Sequence, residues 1–235
     1  MYRAFMPSEQ EAALELSKKA LPSPEAVSES VALSSMPSVQ TENNRQLPNE
    51  YNLDVPFTSQ APHANWDFTH EEACEEAAIL IASRYFQNRE FEGPDDAEKG
   101  LQEIIAWEKE NLGFFESTTA DETARVIREM LNLQAQIIEN PAIDEIKRYI
   151  FEHKLVLAPA AGRELGNPFF KSPGPLYHML VIRGYNQAQF ITNDPGTKRG
   201  ENYPYDFETV FNANRDWNGG DVLGGDKVMI VVGDN

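Results

Sequence analysis

Leu53 to Tyr85 reads LDVPFTSQAPHANWDFTHEEACEEAAILIASRY, and it holds Cys74, the single cysteine of the chain. Thr69 followed by Glu72 has the form of a capping box, which predicts a helix beginning near His70 and running past Phe86. Ala77, Ala78, Leu80, Ile81, Tyr85 and Phe86 form the apolar stripe that docks it on a core. Cys74 then lies about one turn in, where unpaired backbone N–H groups and the helix dipole favour an anion and hence a thiolate. Before the helix, Leu53 to Gln60 is apolar and β-prone, an entry segment that Pro62 stops. Glu71, Glu72, Glu75 and Glu76 oppose a thiolate if they point at it, and most are expected to face solvent.

Downstream, Pro94 and Asp95 open a second helical stretch with Leu101, Ile104, Ile105 and Leu112 on one face, ended by Gly113. Thr119 starts a third, carrying Ala124, Val126, Ile127 and Met130. A short extended run, Gln134 to Ile138, precedes a fourth helix led by Pro141 and then a buried strand, Leu155 to Ala160. The Gly- and Pro-dense segment GRELGNPFFKSPGP, Gly162 to Pro175, predicts an irregular exposed loop. Two β runs follow, His178 to Tyr185 and Gln189 to Asp194, close enough to form an antiparallel hairpin. A short helix near Phe207 to Asn212, a Gly-rich turn and a last strand, Lys227 to Val232, complete the chain. Helices first and mostly antiparallel strands later make the fold class α+β.

Upstream, residues 1–50 are rich in Ser, Pro, Glu, Gln and Asn and read as a flexible arm, with a short helix possible around Glu9 to Ala20. The folded domain is expected over 51–235. A chain of 235 residues suits one such domain. A net charge of −18 argues against nucleic acid and anionic membrane as partners. One cysteine excludes an internal disulfide and a multi-cysteine zinc cluster. Neither a signal peptide nor a transmembrane run is visible, so the expectation is a cytoplasmic monomer unless a targeting segment lies outside this chain.

Strand alternation puts His178, Leu180 and Ile182 on one face. A hairpin setting His178 opposite Asp194 brings their β-carbons to about 5 Å, a base beside the group that orients it. That pairing needs an odd loop, such as Tyr185 to Gln187, or a bulge. Cys74 supplies a nucleophile for such a base, and Gln60 an amide N–H for a developing oxyanion. Trp66 and Phe68 beside the thiol, and Tyr177 beside His178, are the candidates to line a substrate cleft. His63, His70 and Cys74 permit a metal site, but no other Cys or His pair completes a tetrahedron, so neither metal nor cofactor is expected. Asp216, Asn218 and Asp221 match a calcium loop only in part and read as a solvated turn. His153 is expected exposed near a helix end.

The blocks VPFTSQAPHANWDFTHEEACEEAA, GNPFFKSPGPLYHMLVIRGY and FITNDPGTKRG, in that order, resemble the stand-alone C39-like cysteine peptidases, relatives of the bacteriocin-leader processing peptidases. The resemblance covers Tyr51 to the C-terminus. It implies a papain-like fold in which Cys74 is the nucleophile, His178 the general base, Asp194 the orienting carboxylate and Gln60 the oxyanion-hole residue, acting on a peptide or protein substrate. No transporter segment accompanies the domain, so leader cleavage during export does not carry over. Two alternatives stay open beside hydrolysis: a peptide-binding module without turnover, and acyl transfer to an amine from the same thioester.

Overall fold

The computed structural model describes residues 46–235; most of the arm expected over 1–50, and the helix expected at Glu9 to Ala20, lie outside the described residues. In chain order come β1 (Tyr51–Asn52), α1 (Phe68–Glu71), α2 (Cys74–Phe86), α3 (Pro94–Asn111) and α4 (Ala120–Glu129). Next are β2 (Gln134–Glu139), α5 (Ile143–Phe151), β3 (Leu155–Ala161), β4 (Tyr177–Tyr185), β5 (Gln189–Asn193), β6 (Tyr203–Asp206), α6 (Phe207–Ala213) and β7 (Val228–Gly233). The seven strands form one antiparallel sheet in the order β2-β7-β3-β4-β5-β6, with β1 added to the end of β4. Most of the helices come before the strands that form the centre of this sheet, and α2, α4 and α5 pack on it, which makes the fold α+β. Among the described residues, no helix is long and apolar enough to cross a membrane.

The chemistry of the segments explains their states. In β4 and β3 every residue is buried, the pattern of central strands covered on both faces, and they pair from Val156↔Ile182 to Ala161↔Tyr177. Thr119 caps α4 in a true capping box: its hydroxyl accepts from Glu122 N–H, and the Glu122 carboxylate accepts from Thr119 N–H at 2.8 Å. Helix α2 packs on β4 and on α3. Gly100 lets α3 come close, because a β-carbon there would lie 2.6 Å from Leu80 Cδ1.

Several expectations change. The start of the first helix is not the Thr69–Glu72 box. Asp67 caps α1, accepting from His70 N–H at 3.1 Å. Glu72 and Ala73 then leave helical geometry, and α2 starts afresh at Cys74 with no side-chain cap. Nor does α2 show only an apolar stripe: every residue from Cys74 to Arg84 is buried, Glu75 and Glu76 included. The run 53–60 carries no strand. Pro56 has no N–H to offer a ladder, and the carbonyls of Leu53 and Val55 accept from the Arg183 guanidinium instead. Strand β6, which pairs with β5, lay unread in the sequence because Pro204 interrupts its pattern.

Candidate active site

His178 and Asp194 meet where β4 and β5 pair, and α2, which Cys74 opens, packs against β4. Cys74 is the first residue of α2 and is 4% exposed. Its neighbours on the sheet side include the backbone N–H of Met179, the residue after His178. The N–H groups that open a helix have no intrahelical acceptor, so donors stand beside the thiol.

On the sheet, β4 and β5 do not set His178 opposite Asp194. Tyr185 faces Phe190 and Gly184 faces Ile191, but Ile182 faces Thr192 and Val181 faces Asn193, so Arg183 is an extra residue, a bulge. Continuing that register one step puts Asp194 opposite Leu180, diagonal to His178 and on its face. The imidazole reaches across, and His178 Nε2 lies 2.7 Å from Asp194 Oδ1. The Phe170 ring meets the imidazole edge to face, with centroids 5.2 Å apart. Gly196 makes room for both rings, since a β-carbon there would stand 2.8 Å from His178 Cε1 and from Phe170 Cε1.

Asp194 is fully buried and saturated. Oδ1 also accepts from Gly196 N–H at 2.9 Å, while Oδ2 accepts from Asn167 Nδ2 at 2.8 Å and Tyr205 OH at 2.6 Å. Burial pushes this carboxyl up, but the charge of His178 and the hydrogen bonds from His178, Tyr205 and Gly196 outweigh it and hold the group below its usual range. A lasting carboxylate is what an orienting residue requires. Neither Asn167 nor Tyr205 stood out in the sequence. One lies in the Gly/Pro loop and the other on the unread strand β6.

The thiol has a different partner from the one expected. Cys74 Sγ donates to Glu75 Oε2 at 2.9 Å. Burial first, then the charge of Glu75 and its hydrogen bond, then Glu76, push the thiol well above its ordinary value, against a smaller pull from Met179 N–H. Burial and the neighbouring Glu76 push Glu75 up as well, so ionising either group opposes ionising the other. The expectation that most of these glutamates face solvent fails for Glu75 and Glu76, while Glu71 stays exposed and pairs with Lys171 at 3.1 Å.

Gln60 also differs from its expected role. Its Nε2 donates to His70 O at 2.7 Å and Glu71 O at 3.1 Å, which engages both amide hydrogens and ties the entry segment to the end of α1. Its backbone N–H donates to Pro195 O at 2.9 Å, beside Asp194. Trp66 is 42% exposed. Tyr177 is not, since alternation turns it to the other face of β4. There it is buried, donates to Thr118 O at 3.1 Å and stacks at a tilt on Trp217.

The histidines weighed as metal ligands have other partners: His70 bridges Asp67 and Glu98 at 2.8 and 2.9 Å, and His63 meets Asp95 at 3.1 Å. Among the described residues, no group of three or more His, Cys, Asp or Glu side chains is arranged to hold a metal ion. Asp216 is a structural tie, accepting from Ala120 N–H and Trp217 N–H at 2.8 Å each. His153 is exposed just past α5, where Tyr51 OH lies 3.2 Å from its Nε2.

A solved structure from Bacillus anthracis classed as a C39-like peptidase superimposes with a TM-score of 0.53 at 15% identity, covering 80% of this chain and 99% of that one. The peptidase domain of Streptococcus ComA, a bifunctional ABC transporter involved in a quorum-sensing pathway, gives a TM-score of 0.34 at 12% identity over 70% of this chain and 93% of that one. No curated protein matches the sequence. The model of one family matches residues 52–219, a span that contains Gln60, Cys74, His178 and Asp194, and the chain thereby belongs to the Peptidase_C39 like family.

Proposed function

We propose that this chain is a cysteine peptidase that cleaves a peptide or amide bond through a thioester on Cys74. The observation that carries the reading is the buried His178–Asp194 pair, 2.7 Å apart, beside the strand position that meets the Cys74 thiol. With Nε2 held by Asp194, Nδ1 of His178 is the nitrogen left to serve the thiol. It takes the Sγ proton as the sulfur attacks the substrate carbonyl carbon, and the carbonyl π electrons move onto oxygen. The resulting oxyanion is met by backbone N–H groups at the start of α2. Gln60 joins them only by releasing one of its bonds to the α1 carbonyls. The imidazolium then protonates the departing amine, the C–N bond breaks and the thioester remains. Water, losing a proton to His178, releases the acid and restores the thiol.

The Cys74 to Glu75 hydrogen bond favours a second reading, a peptide-binding module of the same fold whose thiol stays protonated. One experiment separates the two: iodoacetamide labelling against pH on native protein, His178→Ala and unfolded chain, beside turnover of a peptide library by wild type and Cys74→Ala. Native labelling at Cys74 that slows in His178→Ala, with turnover lost in Cys74→Ala, is the expected result. Labelling only after unfolding, without turnover, would leave the binding module. A competing amine added to the active enzyme then distinguishes hydrolysis from acyl transfer by the product formed.

A further inference from the structure

Asp194 has two oxygens with room for about four hydrogen bonds, and all four are made. Oδ1 serves His178 Nε2 and Gly196 N–H, while Oδ2 serves Asn167 Nδ2 and Tyr205 OH. The last two donors are joined to each other, Asn167 Nδ2 donating to Tyr205 OH at 2.8 Å. Asn167 Oδ1 in turn accepts from Phe169 N–H at 3.0 Å, and the next residue, Phe170, packs on the His178 ring. Four segments thus converge on one carboxylate: β4, the loop after β3, the edge strand β6 and the turn that follows β5.

We propose that Asn167 and Tyr205 are positioning residues, a clamp on Asp194 Oδ2 that fixes the carboxylate plane so that Oδ1 faces His178. The inference rests on the peptidase reading above. The geometry requires the clamp because a carboxylate is free to rotate about its Cβ–Cγ bond. With Oδ2 released, the direction of the His178–Asp194 bond is defined by Gly196 N–H alone. Tyr205 is buried and keeps its hydroxyl as a donor, since burial and the neighbouring Asp194 charge push its ionisation far up. Tyr205 therefore stays a donor throughout the pH range of activity.

The test compares wild type, Tyr205→Phe, Asn167→Ser and His178→Ala by the rate of iodoacetamide labelling at Cys74 against pH, with thermal unfolding of each recorded alongside. Tyr205→Phe removes one oxygen and keeps the ring. It is expected to slow labelling near neutral pH by about tenfold, the usual consequence of losing one hydrogen bond to a charged group, and to move the profile to higher pH. Asn167→Ser, which keeps a shorter donor, is expected to lie between that variant and wild type. With a substrate in hand, kcat should fall in step while KM stays within about twofold, because no substrate contact is removed. A role confined to stability would lower the unfolding temperature and leave the profile unchanged, which overturns the clamp, and Asn167→Ser decides the same point if Tyr205→Phe fails to fold. If His178→Ala also leaves the profile unchanged, the peptidase reading itself falls and the clamp with it. A shift in His178→Ala with none in either clamp variant sinks the clamp alone.

Discussion

His178 and Asp194 meet on a diagonal of the β4–β5 hairpin, and the bulge at Arg183 is what makes that possible. Tyr185 faces Phe190, so an even number of residues, 186–189, lies between them. In an unbroken ladder that parity would turn His178 and Asp194 to opposite faces of the sheet. The extra residue at position 183 restores the shared face, and the 2.7 Å contact follows.

Asp194→Asn follows from the same contact. An asparagine oxygen turned toward His178 leaves its NH2 facing two donors, Asn167 Nδ2 and Tyr205 OH. Turned the other way, it presents the NH2 to His178 Nε2 and Gly196 N–H, and the imidazole loses its acceptor. Either orientation spoils the base, so kcat should drop by about 10²-fold or more, within the range a positioned general base contributes. Wild-type kcat in this variant would remove Asp194 from the mechanism.

Arg183 has a structural task that its position on a bulge makes available. Its guanidinium is buried and donates to the carbonyls of Leu53 and Val55 and to Asn193 Oδ1, fastening the entry segment that leads to Gln60. Arg183→Met keeps much of the volume, removes the donors to the Leu53 carbonyl and leaves the Val55 carbonyl with Asn193 Nδ2 alone at 3.3 Å. The expected loss is about 2–4 kcal/mol, seen as a lower urea midpoint with an unchanged slope. An unchanged midpoint would mean the entry segment is held by Asn193 and Pro195 without it.

Much of this site was legible in the sequence because each catalytic candidate carries its own local signal. Cys74 falls within a strongly helical run, and His178 and Asp194 bracket a hairpin. What stayed hidden depends on contacts between distant segments. Asn167 looked like an ordinary loop residue, and Tyr205 sits on a strand masked by Pro204. Thr69 and Glu72 fit a capping box by spacing, yet Asp67 reaches His70 N–H first and moves the helix start, and no one-dimensional pattern decides between two caps. Glu75 and Glu76 read as solvated because charged side chains usually are. Their burial comes from α3, α4 and β4, which all pack on α2.

Glu75→Gln tests the restraint on the thiol. Burial dominates the upward push on Cys74, and Glu75 is the next cause. In wild type, ionising either group opposes ionising the other, so labelling of Cys74 rises late and over a broad pH range. Glutamine keeps an acceptor for the thiol and removes the second charge. The labelling midpoint should move to lower pH and the rate at mildly alkaline pH should rise about three- to tenfold. Glu72→Gln, a half-buried position on the preceding turn, serves as the control and should leave the curve near wild type. An equal shift in both variants would mean that general acidity, not Glu75, governs the thiol.

Behind that pair lie Glu76 on α2 and Glu108 on α3, buried side by side, so that a proton on one carboxyl is a hydrogen bond to the other. Burial pushes Glu108 from an ordinary 4.5 up to about 8 against the pull of its hydrogen bond with Glu76, the charges of Glu75 and Glu122 adding to the push, and Glu76 is driven up by burial and by Glu108. The sign of the consequence follows from proton counting. Between about pH 4.5 and 8 the folded protein keeps a proton that the unfolded chain has released, so stability is fully present at the lower end and falls as pH rises through the upper. Asp194, held low, acts in the opposite sense and only in acid, so it does not disturb this window. Wild type should therefore lose on the order of several kcal/mol of unfolding free energy between about pH 5 and pH 8.5. Glu108→Gln has nothing to ionise and can hydrogen-bond to Glu76, so it should be more stable than wild type at pH 8 by about 1–3 kcal/mol and show a flatter profile. Urea denaturation at three pH values decides the point. Parallel profiles would place the ionisation elsewhere, and a destabilised glutamine variant at pH 8 would mean that Glu108 is charged and paired in the native state.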